Sequence, residues 1–150
     1  MYHAIIRRLA SRNFQLVNTK GYGEILASCV PSVHHRFGGT HALGGERHDA
    51  EALRLWFQRL GRLVPTLHLE IRDLWVKGAP WDTTVIVRWV GTAQYPDGSP
   101  YDQHGVHIID LRWGKVTSID ANEDSQAVTS MMAALAAAGV TEATAEPILS

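Results

Sequence analysis

The chain has little that marks it at a glance. Its 150 residues contain one cysteine, Cys29. No intrachain disulfide can form, and a reducing compartment is the simpler expectation. There is no charge bias: 14 Lys and Arg stand against 15 Asp and Glu, a net of -1 with histidine neutral. That balance carries no electrostatic footprint for nucleic acid. The short basic cluster Arg7-Arg8 with Arg12 falls on a helical stretch and reads as a solvated face. No apolar run is long enough to span a bilayer. Met1 leads into a mixed segment rather than the basic start and apolar core of an export signal. The expectation is a cytoplasmic protein without membrane or nucleic-acid partners. What is present is globular composition, 45% hydrophobic and 19% charged, in a length suited to one domain.

Periodicity divides the chain in two. Ala4 to Val17 has helical spacing, with Ile5, Leu9 and Leu16 near one face and Ile6, Phe14 and Val17 beside them. Gly21 is the expected left-handed cap of that helix. Tyr22 to Cys29 reads as a short second helix stopped by Pro31, and Val33 to Phe37 as a short strand. Asp49 to Leu63 is a third helix, carrying Leu53, Trp56, Phe57 and Leu60 and ended by Pro65. After Pro65 the period becomes two. Leu67, Leu69 and Ile71 alternate with polar neighbours. Thr83 to Tyr95, Tyr101 to Trp113 and Val116 to Asn122 follow as strands, with turns at Pro96-Asp97-Gly98 and Gly114-Lys115. Ser125 to Ala138 reads as a closing helix, and residues 141–150 as a loose tail outside a single domain of residues 1–140. Helices followed by an antiparallel meander predict an α+β fold, with the helices covering one face of a strongly curved sheet.

In this order the chain resembles the nuclear transport factor 2-like superfamily, and within it the SnoaL-like, polyketide cyclase-like group. The resemblance is carried by Phe14-Gln15-Leu16-Val17-Asn18, by Leu43-Gly44-Gly45, and above all by Val106-His107-Ile108-Ile109-Asp110-Leu111-Arg112-Trp113-Gly114-Lys115-Val116 followed by Asp124. It covers roughly Ile5 to Met132. It implies a cone-shaped barrel, open at one end, with a pocket between sheet and helices, and commonly a homodimer through the outer sheet face. The fold hosts isomerases, cyclases, hydrolases and plain binding modules, so it does not decide the chemistry.

The stretch Val33 to His48 holds four of the eight histidines. His34 and His35 are neighbours on a strand and face opposite ways. There is no HExxH, no second cysteine, and no Lys-Ser/Thr after either glycine pair, so neither a metal site nor a phosphate loop is expected. A pocket wall remains. By similarity to ketosteroid isomerase, another superfamily member, the general-base position falls at His35, the oxyanion-stabilising position at His107 and the hydroxyl-bearing position near Asn13. None of that enzyme's catalytic residues is retained. On one strand Tyr101, Gln103, His107, Ile109 and Leu111 share a face.

The candidate catalytic residues are therefore His35 as base, His107 assisted by Gln103 as oxyanion donor, and Asp120 as a reserve carboxylate. Asn13, Phe14, Phe37, Trp56, Trp89, Tyr101 and Gln103 are candidate ligand-binding residues. Asp124 is expected to cap the last helix, and Asp110 to pair with Arg88 or Arg112 on the outer face. Arg88, Val90, Ile108 and Asp110 make that face mixed and suited to a two-fold homodimer. The expected function is cofactor-independent acid/base chemistry of isomerase, cyclase or hydrolase type on an apolar ligand bearing a carbonyl or hydroxyl. The alternative is a non-catalytic ligand-binding or dimerisation module.

Overall fold

The computed structural model describes residues 1–150 as four helices and six strands. Helices α1 (Tyr2–Asn18) and α2 (Tyr22–Ala27) precede strands β1 (Cys29–Phe37) and β2 (Gly45–Arg47). Helix α3 (Ala50–Leu63) leads into β3 (His68–Ala79), β4 (Asp82–Gln94), β5 (Pro100–Arg112) and β6 (Lys115–Glu123). Helix α4 (Ser125–Ala137) and a 3-10 turn at Thr141–Thr144 close the chain.

The strands form one curved, unclosed sheet in the order β2-β1-β6-β5-β4-β3. Strands β3 to β6 are the antiparallel meander read from the alternation. Strand β1 then adds to β6 in parallel, so the sheet is mixed. Register shifts at Ile71/Asp73, Asp110/Leu111 and Cys29/His34 interrupt the ladders, and such bulges bend a sheet. The concave face carries Val85, Val87, Leu111, Val116 and Ile119. On it rest the apolar faces of α1 (Ile6, Ala10, Phe14) and α3 (Leu53, Trp56, Phe57, Leu60), together with Val128, Met131 and Met132 of α4.

Several local expectations shift. The buried stripe of α1 is Ile6, Ala10 and Phe14, and Ile5 faces solvent. Lys20, not Gly21, adopts the left-handed conformation that ends α1, at φ 58°. Helix α2 stops at Ala27, and Pro31 lies in β1 at an exposed position where no ladder needs its missing N–H. The β5–β6 turn is Trp113-Gly114, with φ 51° and 77°, the left-handed pair that suits a two-residue hairpin. Residues 141–150, expected to be loose, pack back instead. Ala143 is buried, Ile148 joins the core margin, and Ser150 hydrogen-bonds to His48.

Caps follow their chemistry. Asp49 accepts the Ala52 N–H at 2.8 Å at the start of α3. Asp124 accepts the N–H groups of Gln126 and Ala127 at the start of α4. Each carboxylate satisfies backbone donors that the helix leaves free.

Candidate functional site

A cavity of about 130 Å³ lies between the concave sheet face and the helices; 25 of its 30 lining residues are hydrophobic. An apolar cavity of roughly 150 Å³ accommodates benzene, so the enclosed space suits a single ring, with larger ligands reaching the mouth. The few polar groups that reach it come from α1 (Asn13), β1 (Cys29, His35) and β5 (Tyr101, Gln103, His107), with Ser28 just after α2.

His107 is held in a defined state. Its ring is edge-on to Phe14 at 5.3 Å and to Trp89 at 5.6 Å between centroids. The Trp89 Nε1–H donates to His107 Nδ1 at 2.7 Å. An Nδ1 that accepts cannot carry the proton, so the neutral ring is an Nε2–H donor. Burial lowers its pKa to about 4, against a smaller opposing effect of Asp120. The ring is therefore neutral at physiological pH.

Gly105 makes this contact possible. It stands opposite Trp89 across the β4–β5 ladder. A Cβ on it would come within 2.6 Å of the Trp89 indole and 2.8 Å of Asn122 O. Only glycine leaves room for the indole to lie across β5 towards His107.

His35 is 2% exposed, with its ring 4.4 Å from that of Trp56. Burial, and then the charges of Arg47, His107 and His34, hold its pKa well below the ordinary histidine value. Its Nδ1 is enclosed and has no partner. His34 points to the opposite face, towards Glu46. His35 sits beside Ile119 of β6, and His107 beside Ala121. One strand separates the two histidines and their partners on it are two residues apart, which puts their backbones about 12 Å apart.

The remaining candidates divide. Asn13, Phe14, Phe37, Trp56, Trp89, Tyr101 and Gln103 all line the cavity. Trp56 spends its N–H on Leu43 O at 2.7 Å, and Asn13 donates to Ser28 Oγ at 3.1 Å. Gln103 does not assist His107. It donates to Tyr101 Oη at 2.8 Å and accepts the Asp124 N–H at 3.0 Å, locking β5 to the start of α4. Burial raises the Tyr101 phenol to about 12, so it stays protonated. Asp120 is a correction. It faces away from the cavity and pairs with Arg36 at 2.7 Å, because the buried positions Ile119 and Ala121 flank it and alternation turns it outward. Asp110 accepts from Thr84 Oγ1 at 2.8 Å, while Arg88 pairs with Asp73 and Arg112 with Asp82.

One residue escaped the sequence reading. Arg47 is 0% exposed, opposite His35 on β2, with its guanidinium 5.5 Å from the Trp56 ring centroid. Burial lowers its pKa to about 10. It donates to the carbonyls of Gly44 and Gly45, and its Nε and one terminal nitrogen are unpartnered. Nothing in Gly-Gly-Glu-Arg-His signals a buried cation, since the stretch reads as loop.

A curved sheet wrapped by helices around one apolar cavity, with polar groups concentrated on β1 and β5, is the architecture of the nuclear transport factor 2-like class. Solved structures agree. An NTF2-like protein of unknown function from Burkholderia pseudomallei superposes with a TM-score of 0.73 at 12% identity, over 83% of this chain and 95% of that one. TerC, co-crystallised with polyporic acid, gives 0.68 at 17% identity over 79% and 91%. A provisionally assigned polyketide cyclase from Xanthomonas campestris pv. campestris gives 0.60 at 18% over 80% and 90%. At these identities the likeness is one of fold. The SnoaL-like domain model matches residues 10–119, and the chain belongs to that family. No functionally curated protein matches it. No helix is long and apolar enough to cross a membrane.

Proposed function

We propose that the protein is a small-molecule enzyme of the isomerase, cyclase or hydrolase type. It would act without a cofactor on an apolar ligand bearing a carbonyl, by proton transfer within the cavity. The observation that carries the reading is the Trp89–His107 hydrogen bond. It leaves one neutral imidazole N–H as donor in an apolar enclosure, where a hydrogen bond to a developing oxyanion has most effect. His35, neutral and two strands away on the same wall, takes the α-proton. Electrons from the C–H bond move into a C=C bond, and the carbonyl oxygen gains charge against His107 Nε2–H. The proton on His35 then returns at another carbon, or the enolate carbon attacks a second carbonyl, the first C=O re-forms, and the new alkoxide oxygen takes the proton from His35.

A base held below the ordinary histidine pKa is a weak one, so its substrate needs an acidic C–H. A methylene between two carbonyls, or between a carbonyl and an aromatic ring, meets that need. The Xanthomonas relative's assignment as a polyketide cyclase is in keeping with such chemistry. The non-catalytic alternative is favoured by one feature: no carboxylate orients either histidine.

The test is α-proton exchange of 2-indanone in D2O, followed by proton NMR. Catalysis predicts acceleration by the protein that falls about 100-fold or more in His35→Ala and is unchanged in His34→Ala. Binding of 2-indanone, seen as quenched tryptophan fluorescence, without accelerated exchange would leave the binding-module reading instead. The outer sheet face, with Trp75 51% and Ile108 38% exposed, is proposed as the homodimer surface.

A further inference from the structure

We propose that His34, Glu46 and His48 form a binding site for one zinc-type divalent ion, on the face of the β1–β2 hairpin away from the cavity. The register builds it. Arg36 stands opposite Glu46 and His35 opposite Arg47. One further step sets His48 opposite His34, and alternation puts 34, 46 and 48 on the same face. The two imidazoles are stacked, with centroids 4.4 Å apart and planes 13° from parallel. His34 Nε2 lies 3.7 Å from Glu46 Oε1. One ligand atom from each of the three residues lies within 4.8 Å of the other two.

Two further observations point to a ligand. His34 Nε2 is shielded from solvent and has no hydrogen-bond partner. His48 Nδ1 donates to the main-chain oxygen of Ser150 at 2.7 Å, which leaves the Nε2 lone pair of that ring free. Histidines that bind metals are commonly oriented in this way through their other nitrogen.

The donor set selects the ion. Two imidazole nitrogens and a carboxylate oxygen suit zinc, with a fourth tetrahedral position open to water or an outside ligand. Ligand bonds of about 2.1 Å would bring the three atoms roughly 3.4 Å apart, so closure asks for movements of about an ångström and for the two rings to turn out of their parallel stack, because each nitrogen lone pair lies in its ring plane. The side chains are half-exposed at 42% and 50% for His34 and Glu46 and are free to make them. Arg36, on the same face of β1, donates to Asp120 and Asn122. Because His48 also holds Ser150, the ion would clip β1, β2 and the C-terminal residues together.

The experiment uses chelator-stripped full-length protein, titrated with Zn²⁺ against a chromophoric competitor, and with Co²⁺ read by its visible d–d absorption. The expected result is one ion per chain with a tetrahedral Co²⁺ spectrum. Affinity should fall about 100-fold in His34→Gln or His48→Gln and about tenfold in Glu46→Gln, and be unchanged in His68→Ala and His104→Ala. Zn²⁺ should raise the melting temperature, relative to the same variant with chelator, only where the three ligands are intact. Equal affinity in wild type and His34→Gln, more than one equivalent ion per chain, or no binding at micromolar Zn²⁺ would overturn the assignment.

Discussion

Replacing His107 by Gln should remove a specific part of the protein's sensitivity to acid. The amide can still accept the Trp89 N–H through its oxygen, but it does not titrate. In the folded state the His107 pKa is about 4, against an ordinary value of 6.5. The unfolded chain therefore binds a proton more readily between those two pH values. Stability from the neutral buried ring is fully present above pH 6.5 and is lost as pH falls towards 4. The 2.5-unit gap, 6.5 minus 4, is worth about 3 kcal/mol at about 1.4 kcal/mol per pH unit. That is a large share of a typical 5–15 kcal/mol, as an order-of-magnitude comparison. Urea unfolding followed by tryptophan fluorescence at pH 7, 6, 5 and 4 measures it. Wild type should lose about 3 kcal/mol more than His107→Gln across this range. His35, also depressed, steepens both curves alike. Parallel curves for the two proteins would refute the burial argument and, with it, the neutral-donor role of His107.

Three further outcomes can be checked. Gly105→Ala should cost about 1–3 kcal/mol, because its Cβ would press on the Trp89 indole at 2.6 Å; the same variant should weaken 2-indanone binding by turning that ring from His107. Asp124→Ala should cost about 1 kcal/mol in urea unfolding, through the two backbone donors of α4 that it satisfies. Sedimentation at micromolar concentration should give a homodimer that Ile108→Glu dissociates, and a wild-type monomer would remove the outer sheet face as an interface.

Periodicity was enough for the frame. Leu53, Trp56, Phe57 and Leu60 recur at helical spacing and are buried on α3, and Val85, Val87 and Trp89 alternate and face inward on β4. Strand alternation also determined that His34 and His35 must part, and that His107 shares a face with Tyr101 and Gln103. These are local consequences of backbone geometry, so sequence alone carries them. What joins to what across the sheet is not local. The parallel addition of β1 to β6 set His35 and His107 two strands apart on one wall of the cavity. It also turned Asp120 outward onto Arg36. The partner of His107 proved to be Trp89, reached from β4 over the gap left by Gly105, while Gln103 was already spent on Tyr101 and Asp124. Glu46, Arg47 and His48 read as loop, because three residues are too few to show a period. Only their pairing with β1 buried Arg47 beside His35 and brought Glu46 and His48 to His34. Side-chain direction was legible from neighbours in the chain, whereas strand partners depend on register closed over long loops, which the fold alone decides.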